Sequence, residues 1–208
     1  MVCALPSEPR KEYCNRSGRR LVLGLPSYSP ERALSEHSMH DFFRRQLEIY
    51  AGYHRDERNS ITHVFGIPII FFAIILPLSL WQVTAFGVTV SAALISVSPV
   101  LLIWILFDVA IGLVLLAVVI PLVLLAMAIV DHTGPFEVWS IAVGLFLIGW
   151  ALQLLGHALF EHRKPALLDN PLHLLIGPMF VVAKLFVARG FRRDLALAVQ
   201  PASGEAER

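Results

Sequence analysis

The chain has 208 residues, of which 56% are hydrophobic and only 16% are charged, and its mean hydropathy is +0.67. Soluble domains contain about 45–50% apolar residues, so this composition predicts a membrane protein. A net charge of +1 gives no bulk basicity for binding nucleic acid, and the length predicts one compact bundle without a second sizeable domain. The oligomeric state is left open.

The first segment, residues 1–37, is rich in Arg, Ser, Pro and Glu and has no apolar period, which predicts a disordered tail. Both cysteines, Cys3 and Cys14, lie in this tail, so we expect neither a disulfide framework nor a Cys-rich metal site. No signal peptide is visible, because the longest early apolar run, residues 21–25, is shorter than the roughly 7–15 residues required. Met39 opens the folded segment and is an alternative start of translation.

An amphipathic helix is predicted from Met39 onward. Four residues share its apolar face at helical spacing: Phe43, Leu47, Tyr50 and His54. Such a helix lies against a membrane face or caps a bundle. The charged residues 55–58 then break the pattern, and Asn59 or Ser60 is the predicted N-cap of the next helix.

Four apolar segments are long enough to cross a bilayer, which takes about 20 apolar residues. They cover residues 63–86, 88–107, 109–130 and 138–156. Asp108 is the one charge between residues 88 and 130, and it is predicted to lie in a solvated turn between the second and third spans. The hydrophilic segment 131–137 contains Gly and Pro and is predicted to be a loop.

The last apolar segment, residues 172–188, is short and is interrupted by Gly177, Pro178 and Lys184. It predicts a re-entrant helix or a short fifth span, and residues 194–208 are predicted to be a loose tail. The fold class is therefore an all-α polytopic membrane bundle of four spans, with this helix and the N-terminal amphipathic helix, in one membrane-embedded domain over residues 38–193.

Loop charges predict the topology. Lys and Arg in short loops stay on the cytoplasmic side. The N-terminal segment is basic and so is the turn at Arg163 and Lys164, whereas the loop 131–137 contains no Lys or Arg. Four spans then place both termini and the turn at Asp108 in the cytoplasm. His54 and His63, before and at the start of the first span, share that face with residue 157. We expect an integral protein of a bacterial inner membrane or an ER-type membrane.

Polar residues meet at this predicted face. Gln153, His157 and Glu161 are four residues apart and so share one side of a helix. Three imidazoles, those of His54, His63 and His157, beside Glu161 and Asn59 suit a metal such as Fe(II) or Zn(II). Glu161 is a candidate ligand, a candidate acceptor for an imidazole N–H, or a candidate general base.

The other histidines are weaker candidates. His37, His40 and His173 are interpreted as structural or solvated, and His132 falls on the opposite membrane face. The sequence also has no nucleophile elbow, no phosphate-binding glycine loop and no Cys pair with zinc spacing. What remains is metal chemistry on a lipid-soluble substrate.

Two motifs resemble a known family. They are Y-x₃-H-x₄-N-x₃-H-x₂-G-I-P over residues 50–68 and G-H-x₂-F-E-x-R-x-P-A-L-x-D-N over residues 156–170. Both are similar to the Mpo family, which is named for the metabolism of phytosphingosine to odd-numbered fatty acids, and the resemblance covers residues 39–193. It implies a small multi-span protein and an Fe(II)-dependent dioxygenase, which uses O₂ to α-oxidise 2-hydroxy fatty acids to acids one carbon shorter.

The resemblance also implies residue roles. His54, His63 and His157 become the iron ligands, with Glu161 and Asn59 in support, whereas the family commonly has a basic residue at the position of His162. Two other hypotheses stay open. One is a di-iron lipid desaturase or hydroxylase, for which His157 and His162 resemble one histidine box, and the other is a non-catalytic membrane organiser whose polar residues hold helices together.

Overall fold

The computed structural model describes residues 30–199, with side chains from Met39 onward. Within this range the chain forms seven α-helices and one β-hairpin. The helices are α1 (Pro30–Ala51), α2 (Glu57–Leu78), α3 (Ala92–Phe107), α4 (Val109–His132), α5 (Pro135–Gly156), α6 (His173–Ala188) and α7 (Ala196–Val199), and the hairpin consists of β1 (Gln82–Ala85) and β2 (Val88–Ser91).

Helix α1 begins earlier than the sequence predicts. It starts at Pro30, so residues 30–37 of the predicted disordered tail are helical, and residues 1–29 lie outside the described range. A proline fits the first turn of a helix, because its missing N–H would have no partner there. The predicted apolar stripe is buried at Phe43, Leu47 and Tyr50. Its position against a membrane face stays a prediction.

Helix α2 begins after Asp56, whose Oδ1 accepts a hydrogen bond from the backbone N–H of Arg58 at 2.8 Å. The predicted N-cap, Asn59 or Ser60, is therefore wrong. Asp56 can act earlier because its carboxylate caps the first turn, where the helix dipole also favours the acidic side chain of Glu57.

The first predicted span, residues 63–86, is wrong at its end. Helix α2 stops at Leu78, and residues 82–91 form an antiparallel hairpin in which Ala85 pairs with Val88. The two turn residues, Phe86 and Gly87, both have positive φ, at 52° and 78°. A two-residue turn of this kind matches the twist of the flanking strands, and the Val and Thr residues on either side favour strands.

Three helical segments within residues 30–199 are long and apolar enough to cross a membrane: α2, α4 and Pro135–Glu161. The predicted second span, α3, has only 16 residues. Helices α6 and α7 bend by 117° at the break between them, as in a broken span or a re-entrant segment. The helical bundle with membrane-length helices is confirmed, whereas the number of spans stays a prediction.

Asp108 lies at the predicted turn between α3 and α4, but it is not solvated. Its side chain is 3% exposed, accepts a hydrogen bond from the Ile111 N–H at 3.0 Å and pairs with Arg192 Nη1 at 2.8 Å. The carboxylate can be buried because Arg192 neutralises it. This pair also fixes the chain after α6, where Leu195, Ala198 and Val199 are buried. The start of the predicted loose tail is thus folded.

Removing Arg192 should expose the cost of burying Asp108. We expect Arg192→Ala to destabilise the protein by about 3 kcal/mol, because a buried carboxylate loses its charge partner and keeps only the cap to α4. Thermal unfolding in detergent measures the loss. The control is Arg193→Ala, an exposed neighbour, which should change stability by less than about 0.5 kcal/mol. Equal effects of the two variants would contradict this role.

The bundle has two distinct ends. At one end, Trp81 before the hairpin contacts Trp139 of α5, with ring centroids 6.4 Å apart. At the other end Asp108 meets Arg192, and Phe107 stacks on Phe43 of α1 at 5.8 Å. The turn at Asp108 thus lies beside α1, and which end faces the cytoplasm stays a prediction.

Candidate metal centre

Three buried histidines converge at the end of the bundle that holds α1. One nitrogen from each of His54, His63 and His157 lies within 4.8 Å of the other two. Their side chains are 1%, 4% and 2% exposed. The three residues that the sequence predicts as metal ligands therefore meet at one point.

Each histidine comes from a different local structure. His54 follows α1 in a turn closed by its N–H donating to Ala51 O at 3.0 Å. His63 lies in the second turn of α2. His157 opens a single π-helical turn, His157–Glu161, which continues α5. Turns of this type frequently occur at functional sites. The predicted α-helical run from Gln153 to Glu161 thus changes its winding at His157.

The hydrogen bonds of two histidines fix their tautomers. Nδ1 of His54 lies 2.8 Å from Tyr50 O, and Nδ1 of His63 lies 2.8 Å from Asn59 O. A carbonyl oxygen only accepts, so each Nδ1 carries the hydrogen, and each neutral ring keeps a lone pair on Nε2. Burial keeps His54 neutral, because it lowers the pKa of that imidazole to about 2.

The two unprotonated nitrogens lie close together. Nε2 of His54 lies 3.0 Å from Nε2 of His63. Two unprotonated nitrogens at this distance repel unless a cation or a shared proton lies between them. Metal-binding histidines typically have this arrangement, in which one nitrogen donates to a carbonyl and the other faces the ion. His157 completes the group, since its ring centroid lies 4.9 Å from that of His54 and 5.0 Å from that of His63.

Glu161 and Asn59 lie beside the histidines and form hydrogen bonds that fix the start of α2. Oε1 of Glu161 accepts from the Asp56 N–H at 2.9 Å and from Asn59 Nδ2 at 3.2 Å. The same Asn59 supplies the carbonyl that binds His63. Glu161 is not part of the three-histidine group found among the described residues. Its contacts fit a residue that positions the ligands, and its role in catalysis stays a prediction.

A cavity of about 240 Å³ adjoins the histidines. Three of its lining residues carry a buried polar atom without a hydrogen-bond partner in the protein: Trp150 Nε1, His157 Nδ1 and His173 Nε2. Buried polar atoms are normally paired. A ligand with polar atoms would supply hydrogen-bond partners to these three nitrogens.

Comparison with known proteins agrees with these features. A family model described as 2-hydroxy-palmitic acid dioxygenase Mpo1-like matches residues 40–189. The chain belongs to the Mpo1-like family. It is also 32% identical, over 163 residues, to the 2-hydroxy-palmitic acid dioxygenase MPO1 of Saccharomyces cerevisiae, in an alignment that covers 76% of this chain and 87% of that protein. No solved structure matches. This Mpo1-like protein is thus a dioxygenase-related enzyme.

The remaining histidines of this Mpo1-like chain divide as follows. His40 is exposed, which is the solvated one of its two predicted roles, His132 is also exposed, and the side chain of His37 lies outside the described range. His162 is not in the metal group, because it ends the π turn with φ at 52° and its N–H binds His157 O. His173 is only 3% exposed, so it is buried and not solvated.

Sequence reasoning missed the contribution of Tyr50 and His173 to the Mpo1-like site. Tyr50 stacks on His54 with a centroid distance of 4.1 Å, and its ring meets His173 edge-on at 5.6 Å. Nδ1 of His173 donates to Ala166 O at 3.1 Å. Tyr50 is the first residue of one motif and His173 lies three residues after the other. This proximity to the motifs was the one feature of the sequence that could have indicated their role.

Substitutions of Glu161 separate positioning from direct chemistry in this Mpo1-like enzyme. If the three histidines hold a metal ion, Glu161→Ala should lower the affinity for it about 10–100-fold, as expected when a residue supporting a ligand is lost. Glu161→Gln keeps an oxygen that can accept from Asp56 and Asn59, so we expect it to stay within a few-fold of the parent. Iron content after dialysis and product formation are the measurements. A glutamine variant as inactive as the alanine variant would mean that the carboxylate charge itself is required.

Proposed function

We propose that this chain is an Fe(II)-dependent dioxygenase that α-oxidises 2-hydroxy fatty acids to acids one carbon shorter. One iron would be held by His54, His63 and His157. The observation that carries the proposal concerns His54 and His63. Their Nε2 atoms lie 3.0 Å apart, and the Nδ1 of each ring donates a hydrogen bond to a backbone carbonyl. Membership of a family with a 2-hydroxy-palmitic acid dioxygenase supports the reaction type.

The donor set fits Fe(II). Imidazole nitrogen suits iron, zinc, copper and nickel, so the ligands alone do not select one metal. His54, His63 and His157 would hold the ion, and the adjoining cavity would admit the substrate. Bound Fe(II) would supply the one-electron chemistry that allows O₂ to react with an organic substrate. In the overall balance, a 2-hydroxy acid and O₂ give the shortened acid, CO₂ and water.

Neighbouring side chains of the protein hold the histidine rings in position. Glu161 holds the Asp56 N–H and the Asn59 amide, and Asn59 in turn orients His63. Tyr50 packs on His54 and limits rotation of that ring. Burial of the centre keeps bulk water away, which protects reactive species from side reactions. The polar head of the substrate would lie by the histidines and its hydrocarbon tail in the adjoining cavity.

The proposed site lies at the cytoplasmic face, with both termini on that side. Its support is the charge of the chain, since the end of the bundle that carries Arg44 and Arg45 of α1 also carries the histidines. The adjoining bilayer would supply the substrate, and O₂ is the second partner.

The decisive experiment incubates purified protein with Fe(II), O₂ and 2-hydroxypalmitate and follows the products by mass spectrometry. We expect pentadecanoic acid and one iron per chain. Zinc-loaded protein should give none of this product. Failure to form the shortened acid with full iron occupancy would overturn the proposed reaction while leaving the metal site intact.

A di-iron desaturase or hydroxylase is the second candidate, and the metal content distinguishes it. Among residues 39–199 one group of three metal-binding side chains is present, which suits one ion better than two. Two irons per chain, together with an unsaturated or hydroxylated product of unchanged length, would favour this candidate.

A further inference from the structure

The cavity beside the histidines continues as a groove along α2. Its lining on this helix runs from His63 to Leu78, and the residues recur at spacings of three, four or one, so they form a single helix face: His63, Ile67, Ile70, Phe71, Ile74, Ile75 and Leu78. At about 1.5 Å per residue, this face is about 22 Å long.

Helix α3 supplies the opposite wall. Phe71 and Trp104 lie level with each other near the middle of the groove, with ring centroids 6.1 Å apart. From Trp104 the lining continues through Val100 and Val97 to Ser96, toward the hairpin that connects α2 with α3. Leu78 and Ser96 therefore mark the end of the groove that is remote from the histidines.

Polarity changes along this groove. Its ionisable and amide side chains, including His54, His157, His173 and Gln153, are grouped at the metal end. On α2, every lining residue beyond His63 is apolar. The matching ligand is an amphiphile with a polar head and one hydrocarbon chain.

We propose that this groove holds the hydrocarbon chain of the substrate and that side chains near Ser96 set the longest chain accepted. The inference rests on the proposed function for the identity of the head group. With carbon–carbon bonds of about 1.5 Å, an extended chain advances roughly 1.3 Å per carbon, so a groove of about 22 Å accommodates roughly 17 carbons. This is the size of a long-chain fatty acid.

The groove also opens sideways. Among its lining residues, Ile74 is 44% exposed and Leu174 is 56% exposed on the apolar outer surface of the bundle. The lining of the groove thus reaches the apolar outer surface, and a chain would enter there from the hydrocarbon of a bilayer without passing through water.

The test shortens the groove at two positions along α3. Ser96→Phe fills its remote end, and Val100→Phe fills a point one helical turn nearer the histidines, about 6 Å along the helix. The controls are Ile95→Phe and Leu102→Phe, which place the same ring on the same helix at positions that do not line the groove and that are 48% and 57% exposed.

We expect the ratio of kcat/KM for 2-hydroxystearate to that for 2-hydroxyoctanoate to fall by at least about tenfold in Ser96→Phe, the effect of a methylene that a pocket cannot accept. In Val100→Phe the cutoff should move to chains shorter by roughly four or five carbons. Activity on 2-hydroxyoctanoate should be kept, and both controls should match the parent.

Displacement of a fluorescent fatty acid gives a readout independent of turnover. If the parent binds long acids in competition but forms no shortened acid, the proposed function fails while the groove stands. Equal loss for short and long acids in the groove variants, or equal effects of the controls, would overturn the chain-length role.

Discussion

His157→Ala should remove bound iron and product formation together. The residue contributes one of three converging nitrogens and is 2% exposed. Loss of a residue that merely supports a ligand typically costs about 10–100-fold in affinity or activity, so loss of a ligand itself should exceed 100-fold. His54→Ala and His63→Ala should behave alike.

Iron content by mass spectrometry and turnover of 2-hydroxypalmitate measure this effect separately. His132→Ala is the matched control, because His132 is exposed at the far end of α4, where its Nδ1 lies 2.8 Å from Ala128 O. It should keep iron and activity at parental levels. If His157→Ala retained its iron while His132→Ala lost it, the site assignment would be wrong.

Gly156→Ala should disable the centre without touching a proposed ligand. A β-carbon at Gly156 would overlap Thr62 Oγ1 and Asn59 Oδ1 on α2. The added methyl group must therefore displace these two side chains, of which Asn59 holds Glu161 through its amide and His63 through its backbone carbonyl. Overpacking of this kind costs about 1–3 kcal/mol of stability. A displacement of about 1 Å at a catalytic group can cost about 100-fold in rate, and we expect a loss of that order in kcat/KM.

The matched control is Gly144→Ala on the same helix. A β-carbon at Gly144 meets no heavy atom within 4 Å. Alanine there should leave iron binding unchanged and stabilise the helix by up to about 1 kcal/mol, since glycine is the poorer helix former. Thermal unfolding and iron titration of both variants provide the comparison. Equal damage from the two substitutions would contradict the close-contact explanation.

The convergence of the three histidines was the part that sequence could predict. His54 and His63 are nine residues apart across one helix start, so local spacing already places them together, and loop charge brings His157 to the same end. The apolar stretches around them likewise predict α2, α4 and α5, because about 18 or more consecutive apolar residues indicate a membrane-spanning helix.

Other features depend on contacts that no local pattern reveals. Asp108 was interpreted as solvated, because its partner Arg192 lies 84 residues away and only the folded bundle joins them. The hairpin was hidden inside a hydrophobic run, where Val and Thr fit a strand or a span equally well. The cap at Asp56 and the π turn at His157 likewise depend on particular hydrogen bonds. The spacing of apolar residues carries no information about these bonds.

Because the groove opens on the apolar surface of the bundle, the concentration of substrate in the lipid phase would determine how far the enzyme is saturated. Each methylene favours an apolar phase by about 0.8 kcal/mol, so a long 2-hydroxy acid resides almost wholly in the bilayer. The quantity that governs the rate is then the mole fraction of substrate in the lipid and not its amount per volume of buffer. Inert phospholipid added at fixed total substrate should therefore slow turnover, as two-dimensional dilution requires, and an apparent KM given in molar units would change with the lipid content of the assay.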